Sequence, residues 1–210
     1  MEYDDCHIIT SPMSRTPNSR KEDTHEHIVD VAARAIRRDG YAGVRVADVM
    51  KEAGLTHGGF YAHFDSRDAL LVEALARAGR DSAAAVARAA EAKRGKGVSA
   101  FRSLVETYLA DRHLASTATG CPVAALGCEM PRQSEAVREA SAQRVERLIV
   151  AVRDTLSGAA RTSAVVVTST LVGALQLARA LGDNADGRAV LAAARKSLIQ
   201  QYDTPAAGAR

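Results

Sequence analysis

Apolar residues recur along most of the chain about every 3.6 residues, the spacing of an amphipathic helix, and no segment alternates with the period of a β-strand. Ile28, Ala32 and Ile36 show the pattern, which stops at Gly40, a residue suited to the left-handed end of a helix. The pattern predicts an all-α fold of about nine helices. The predicted helices cover approximately residues 21–39, 46–53, 57–63, 66–93, 98–115, 121–131, 134–156, 161–181 and 187–202.

Two of these predicted helices are short and lie close together between Val46 and Phe64. Gly54 separates them, Thr56 is suited to cap the second helix, and that helix ends in the sequence Tyr61-Ala-His-Phe. Two short helices joined by a tight glycine turn are the sequence form of a helix-turn-helix. The second helix of that motif lies in the major groove of DNA. The segment therefore predicts a DNA-binding site.

The charge of the chain does not support this prediction. A formal net charge of +3 is too small to indicate a nucleic acid or an anionic membrane as the partner. Residues 15–70 carry nine Lys or Arg and nine Asp or Glu, so the predicted DNA-binding segment is neutral by count. Five of the six His lie in the first 70 residues, where positive charge would grow as the pH falls. The prediction rests on local geometry alone.

The rest of the composition argues against other classes of protein. Cys6, Cys121 and Cys128 form no CxxC pair, which argues against a disulfide framework or a zinc site and favours reduced thiols in the cytoplasm. The acidic N-terminus has no apolar core of a signal peptide, and the apolar run 164–175 is too short to span a bilayer. No spacing typical of a catalytic or metal site is visible, so we expect no enzyme, no cofactor and no membrane partner.

Several residues at fixed spacing resemble the DNA-binding domain of TetR-family transcriptional regulators. The resemblance covers about residues 25–75 and is carried by Asp39-Gly-Tyr41, Val46–Gly54, Leu55–Phe64 and Ser66-Arg-Asp-Ala-Leu70. The segment Gly120–Leu126 resembles one branch of the variable C-terminal domain of that family. The resemblance implies an all-helical homodimer that binds double-stranded operator DNA and releases it when a small molecule enters the C-terminal domain. Repression is the usual mode of the family.

The resemblance divides the chain into four parts. They are a flexible tail at 1–20, a helix-turn-helix DNA-binding domain at 21–66, a ligand-binding and dimerisation domain at 67–203, and a loose tail at 204–210. The helices at 162–181 and 187–202 would pair with their copies in a four-helix dimer interface. Small residues such as Gly173 and Ala174 allow a close approach of helices there.

The residues predicted to contact DNA lie in and around the helix-turn-helix. They are Arg45, Thr56, His57, Gly58, Gly59, Tyr61, His63 and Arg67. Thr56 and His57, at the start of the second helix, can form hydrogen bonds with base edges. The two glycines would let the backbone approach the DNA closely, or they serve only the geometry of the turn. Phe60 and Phe64 are expected in the core.

Four of these residues would contact the DNA backbone. Tyr61 offers a hydroxyl at a position that the family uses for a phosphate, and His63 is placed for another phosphate or only caps the end of the helix. Arg67, in the first turn of the following helix, is a natural phosphate anchor. The family often has Ser or Thr at the start of the first motif helix, where this chain has Val44-Arg45. Any contact at that position therefore shifts to Arg45.

The effector cavity is expected among the helices that start near Arg67, Val98, Cys121 and Ser134. Its candidate lining residues, each of which could instead be a plain core position, are Phe101, Leu104, Tyr108, Cys121, Leu126, Cys128 and Met130. Because these residues offer few polar groups, a small and largely apolar effector is expected. The alternative is a sensor of oxidants or electrophiles that uses the thiol of Cys121 or Cys128, and the plainest interpretation is two inert thiols.

Overall fold

The computed structural model describes residues 17–93 and 96–203, and every regular element in this part of the chain is a helix. The nine α-helices there are α1 (Pro17–Gly43), α2 (Val46–Glu52), α3 (Arg67–Lys93), α4 (Ala100–Tyr108), α5 (Asp111–Ala115), α6 (Pro122–Leu126), α7 (Glu135–Thr155), α8 (Ala164–Leu181) and α9 (Ala185–Tyr202). Three 3-10 helices join them, at His57–Ala62, Met130–Arg132 and Gly158–Ser163. The predicted all-α fold is confirmed.

The N-terminal domain consists of α1, α2, the 3-10 helix His57–Ala62 and the first turns of α3. Its core includes Ile28, Ile36 and Phe60, each no more than 1% exposed. Phe60 and Phe64 are both buried, as expected, and their rings stack with centroids 5.4 Å apart. The 27-residue α3 then continues into the C-terminal domain. One rigid helix thus belongs to both domains.

The first helix starts earlier than the sequence pattern predicts. It begins at Pro17, so residues 17–20, assigned above to the flexible tail, are helical. Proline suits a first helical turn because it has no N–H group to leave unpaired there. Gly40 has a φ of 72° and kinks the helix at the predicted end. The other predicted tail residues, 1–16 and 204–210, lie outside the described residues.

The predicted α-helix at 57–63 is wrong in type, because the segment His57–Ala62 is a 3-10 helix. Six residues give an α-helix little to propagate after its costly first turn. Gly58 and Gly59 each disfavour an α-helix by up to about 1 kcal/mol. The tighter 3-10 form is common in such short segments.

The single helix predicted at 98–115 is also wrong, because the structure has α4 and α5 with a break at Leu109 and Ala110. Ala110 has an extended backbone, with φ −77° and ψ 147°. The break lets the chain turn so that the ring of His113 meets the carbonyl of Tyr108, with Nδ1 and O 2.6 Å apart. A local hydrogen bond between a side chain and the backbone, which periodicity cannot reveal, is formed at this break.

The last two helices, α8 and α9, pack along each other, and the side chain of Asn184 caps α9 by accepting from the N–H groups of Asp186 and Gly187. The segment Gly158–Leu181 is long and apolar enough to cross a membrane by length and composition, unlike the shorter run 164–175, and its most apolar 18-residue stretch has a mean hydropathy of 1.6. Only 39% of its most apolar stretch is buried within the single chain. The exposed apolar side chains on α8 are Val165, Val166, Leu177 and Leu181.

Candidate nucleic-acid interface and adjoining cavity

The 3-10 helix His57–Ala62 presents several of the predicted DNA contacts to solvent. Thr56, His57 and Gly58 are exposed, and Tyr61 is 69% exposed, which is unusual for an aromatic side chain. Thr56 occupies the capping position, but its side chain makes no capping hydrogen bond. The edge of the Tyr61 ring faces His57, with centroids 6.4 Å apart. Hydroxyl and imidazole groups are thus held together on one exposed turn.

The glycine pair in this helix is not required by the fold itself. Neither Gly58 nor Gly59 has a positive φ. A Cβ added at Gly58 would meet nothing within 4 Å, and one at Gly59 would make ordinary contacts of 3.7 Å with Met50 and Thr56. The turn would therefore accept alanine at Gly58. This freedom favours the close approach of an external partner over local turn geometry as the reason for a glycine at Gly58.

Arg45 occupies the capping position of α2 and its side chain makes no capping hydrogen bond. Its backbone is extended, and its carbonyl accepts the N–H groups of Asp48 and Val49, so the helix starts on backbone bonds alone. The side chain is exposed. The guanidinium therefore lies in solvent, and its contact with a phosphate or a base stays a prediction.

Arg67 makes contacts that the sequence did not predict. Its Nε donates to the carbonyl of Val44 at 3.0 Å, and its Nη2 donates to the carbonyl of Tyr41. These bonds join the start of α3 to the connection between α1 and α2. The side chain is 38% exposed. Arg67 thus stabilises the helix-turn-helix through these two bonds. Contact between its remaining donors and a phosphate stays a prediction.

His63 ends the 3-10 helix and is half-buried, with its ring centroid 6.0 Å from that of His25. Burial lowers the pKa of His63 below its usual 6.5, and the nearby charges of His25 and Lys21 lower it further. At pH 7 the ring is therefore mostly neutral. His63 can offer a phosphate a hydrogen bond but little positive charge.

A cavity of about 490 Å³ lies between α3, α4, α5 and the loop that precedes α6. Its volume falls within the ordinary range of small-molecule sites. The residues that line it are Ser82, Ala85, Val86, Arg88, Ala89, Thr107, Tyr108, Arg112, His113, Ser116, Thr119 and Gly120. Polar side chains make up much of this lining, in contrast to the expectation from the sequence.

His113 fixes the wall of this cavity through both ring nitrogens. Nδ1 lies 2.6 Å from the carbonyl of Tyr108, and Nε2 accepts the N–H of Cys121 at 2.9 Å. The acceptor role of Nε2 requires the neutral ring with its proton on Nδ1. Burial lowers the pKa of His113 to about 4, and the charges of Arg179 and Arg112 act in the same direction. The ring is neutral at pH 7, which preserves both bonds.

Cys121 lies behind the same wall and is 1% exposed. The guanidinium groups of Arg37, Arg144 and Arg179 and the hydroxyl of Tyr108 lie close enough to interact with it electrostatically. Burial raises the pKa of Tyr108 well above its usual value of 10, and Cys121 raises it further. A thiol is thus surrounded by positive charge in the interior of the domain.

The residues predicted to bind the effector fall into separate places. Tyr108 lines the 490 Å³ cavity and Cys121 lies behind it, whereas Met130 lines a second cavity of about 410 Å³ between α6 and α7. Cys128 is exposed and lines neither cavity. The remaining three are ordinary core residues, no more than 4% exposed, and are Phe101, Leu104 and Leu126.

Three residues that join the two domains were missed by the sequence reasoning. Arg37 of α1 is buried and donates to the carbonyl of Gly120 at 3.4 Å. Glu129 accepts the N–H of Tyr41 at 3.0 Å, and the Tyr41 hydroxyl lies 3.1 Å from Oγ of Ser141. A charged residue four positions after Ala33 on the apolar face of α1 was the available signal for Arg37. No comparable signal marks Glu129 or Ser141.

Comparison with known proteins identifies the two domains separately. Residues 28–74 match the family model for bacterial regulatory proteins of the tetR family. Residues 97–193 match the model for the C-terminal domain of LmrA/YxaF-like transcriptional regulators. A helix-turn-helix transcriptional regulator of Mycobacterium tuberculosis strain H37Rv is 31% identical over 172 residues, which cover 75% of this chain and 85% of that protein. The chain belongs to the TetR family of DNA-binding transcriptional regulators.

Two further comparisons, one of sequence and one of structure, show how far the similarity to known regulators extends. AcrR of Shigella flexneri is 33% identical over 61 residues, so the match spans only 28% of AcrR and 29% of this chain. The crystal structure of Escherichia coli NemR in its reduced form aligns with a TM-score of 0.68 at 24% identity, covering 88% of this chain and 99% of NemR. The first likeness is local, and the second shows a common fold.

Replacement of Gly58 by alanine tests whether this glycine serves DNA binding or the stability of the fold. Because a Cβ at Gly58 meets nothing within the chain, stability should stay equal to wild type or rise by up to about 1 kcal/mol. We expect the affinity for a DNA fragment that the wild type shifts to fall by about tenfold or more, because the new Cβ meets the DNA. Gel shift and urea unfolding measure the two effects.

The matched control is Gly54→Ala, at a glycine with a φ of 72°. This variant should lose about 1–2 kcal/mol of stability because L-residues are strained in that conformation. Unchanged DNA affinity in Gly58→Ala would contradict the close approach.

His113 should make stability depend on pH in the acidic range. Its folded pKa of about 4 lies below the ordinary 6.5, so between these values the unfolded chain binds a proton that the folded chain does not. The contribution is fully present above pH 6.5 and is lost as the pH falls towards 4, by at most about 1.4 kcal/mol per pH unit. Urea unfolding across this window measures the slope. His113→Gln should flatten it, exposed His57→Gln should not, and equal slopes in all three proteins would refute the assignment.

Proposed function

We propose that this TetR-family regulator is a homodimeric repressor that binds operator DNA in the cytoplasm and leaves it when a small molecule occupies the 490 Å³ cavity. The single observation that carries the proposal is the bond from Arg37 to Gly120, because Gly120 lines the cavity and Arg37 belongs to the DNA-binding domain. Family membership supports DNA binding, and the contact supplies a physical route for the ligand to affect it.

Three contacts would carry the signal from the cavity to α1. A ligand that pressed on the wall at His113 and Gly120 would shift the carbonyl that Arg37 binds. The bonds from Tyr41 to Glu129 and Ser141 hold the same C-terminal end of α1 to the segment after α6 and to α7. A ligand changes the equilibrium only if it binds one arrangement of these contacts better than the other. The proposed effector therefore favours an arrangement in which α1 has moved relative to α3.

The apolar surface of α8 supports the homodimer. Val165, Val166 and Leu177 are each more than half exposed in the single chain. A second copy of α8 and α9 would cover these side chains, and burial of apolar surface is the main driving force of such association. Two recognition segments in a twofold dimer would fit operator half-sites one helical turn apart, about 34–36 Å. The same cover accounts for the apolar character of Gly158–Leu181 without a membrane.

A second candidate is a thiol sensor at Cys121. The specific observation in its favour is that Arg37, Arg144 and Arg179 lie close enough to interact electrostatically with this cysteine, since reactive cysteines occur in electropositive surroundings. The related fold of NemR, solved in its reduced form, is consistent with this candidate. The burial of Cys121 argues against it, since only 1% of the residue is exposed to an oxidant. Cys128 is exposed but has no such surroundings.

The repressor proposal predicts a selective gel shift with DNA from upstream of the chain's own gene. Tyr61→Phe removes only an exposed hydroxyl and should weaken binding about tenfold, the cost of one hydrogen bond to a charged phosphate. Tyr202→Phe, which alters a hydroxyl on α9 beside Phe101, should bind like the wild type. Equal shifts with upstream and scrambled DNA, or an unaffected Tyr61→Phe, would contradict the proposal.

The thiol candidate predicts that hydrogen peroxide releases the DNA. The thiolate would displace hydroxide from the peroxide, so an S–O bond forms, the O–O bond breaks and the sulfur becomes a sulfenic acid. Cys121→Ser should then remain on DNA in peroxide, whereas Cys128→Ser should leave it like the wild type. If the wild type and Cys121→Ser respond equally, Cys121 is not the sensor.

A further inference from the structure

The 490 Å³ cavity carries positive charge without a matching negative wall. Arg88 of α3 and Arg112 of α5 both line it, and neither forms an ion pair with any residue in the described part of the chain. None of the described residues that line the cavity is Asp or Glu. Among the described residues, two exposed arginines thus border this cavity and no carboxylate does.

Two carboxylates line an adjoining cavity instead. Glu106 and Asp111 border this second space of about 560 Å³, which shares Ala89, Thr107 and Arg112 with the first. Glu106 pairs with Lys93 at 2.5 Å. The charge of Asp111 acts on Arg188 of α9. Asp81, next to the lining residue Ser82, pairs with Arg37 and Arg77.

More positive charge lies directly behind the cavity wall. A Cβ at Gly120 would lie 2.9 Å from Nη2 of Arg179, so this guanidinium lies beside two residues that line the cavity, Gly120 and His113. Nη2 donates to the carbonyl of His113 at 2.9 Å, but the buried Nε and Nη1 of Arg179 have no hydrogen-bond partner among the described residues. Arg179 thus adds unneutralised charge behind the wall.

Arg144 is a further arginine near Tyr108 and Cys121 in the interior of the domain. Its guanidinium lies against Gly79 in the middle of α3, where a Cβ would come within 2.5 Å of Nη1. Glycine inside a helix is unfavourable, so its presence there has a packing reason. Burial lowers the pKa of both Arg144 and Arg179, because the charged form is poorly solvated. The interior holds these charges at a cost in stability that a bound anion would reduce.

The rest of the cavity lining suits an organic ligand with hydrogen-bond acceptors. Ala85, Val86 and Ala89 give one wall of α3 an apolar surface. Hydroxyl groups on the other sides can donate to the oxygens of an anionic group, and they belong to Ser82, Thr107, Ser116 and Thr119. A wholly apolar effector would cover these donors and the two arginines without replacing their water.

We propose that the effector is an organic anion with an apolar body, whose carboxylate or similar group lies between Arg88 and Arg112 and whose body packs on Ala85, Val86 and Ala89. The role as effector rests on the proposed function, whereas anion binding to this cavity does not. Arg88 and Arg112 are the direct ionic partners, and Arg179 adds attraction through the wall at Gly120.

The test compares acids with their uncharged amides on the full chain. Hexanoate and benzoate are titrated by calorimetry at constant ionic strength against hexanamide and benzamide. At least one of the acids should bind about tenfold or more tightly than its amide, as charge-assisted bidentate hydrogen bonds predict. The double variant Arg88→Gln with Arg112→Gln should lose that preference. Arg80→Gln, an exposed arginine two turns earlier on α3 and outside the cavity, should keep it.

The possible results distinguish anion binding to the cavity from the role of the anion as effector. Equal affinity for acid and amide, no binding of either acid, or full acid binding by the double variant would each overturn the anion site. Acid binding that depends on Arg88 and Arg112 in a chain that shifts no DNA would keep the site and overturn the repressor. Release of DNA by the amides as well as by the acids would keep the repressor and overturn the anionic effector.

Discussion

The buried guanidinium of Arg37 is the interaction on which the arrangement of the two domains depends. It donates to the carbonyl of Ala33 on its own helix, to that of Ala78 on α3 and to that of Gly120 before α6, and it lies 3.5 Å from Asp81. Burial lowers its pKa, and Asp81 opposes that effect. A buried charge without these acceptors would be strongly destabilising. The contacts therefore fix α1 against both α3 and the loop.

The loop that Arg37 holds is also the wall of the cavity. His113 binds the same loop from the other side, through the N–H of Cys121, and its neutral ring depends on burial and on the charge of Arg179. Gly120 is thus held between a side chain of the DNA-binding domain and one of the C-terminal domain. A ligand beside it would act on a segment whose position is set by a few polar bonds, which is easier to displace than packed apolar core.

The 3-10 helix His57–Ala62 is likewise held in place by a few residues. Phe60 and Phe64 fix this segment by burial in the core. Arg67 binds the carbonyls of Tyr41 and Val44. The exposed side chains of Thr56, His57 and Tyr61 are therefore not needed to hold the segment in place. The burial of Phe60 and Phe64 and the position of this segment were predictable, because aromatic spacing and glycine placement are local signals. The inward role of Arg67 was not predictable, because its acceptors lie more than 20 residues away in the chain.

The sequence by itself determined the helical class, most helix positions and the helix-turn-helix, because these follow from periodicity and from short-range preferences of glycine, proline and apolar residues. Tertiary structure alone decided that His57–Ala62 is a 3-10 helix, that α4 and α5 are separate, and that arginine and hydroxyl side chains join Tyr108 and the apolar residues of α3 in the cavity lining. Those outcomes depend on which distant groups meet, as at His113 and Cys121 or Arg37 and Gly120. A polar side chain shows its partner only after the chain has folded.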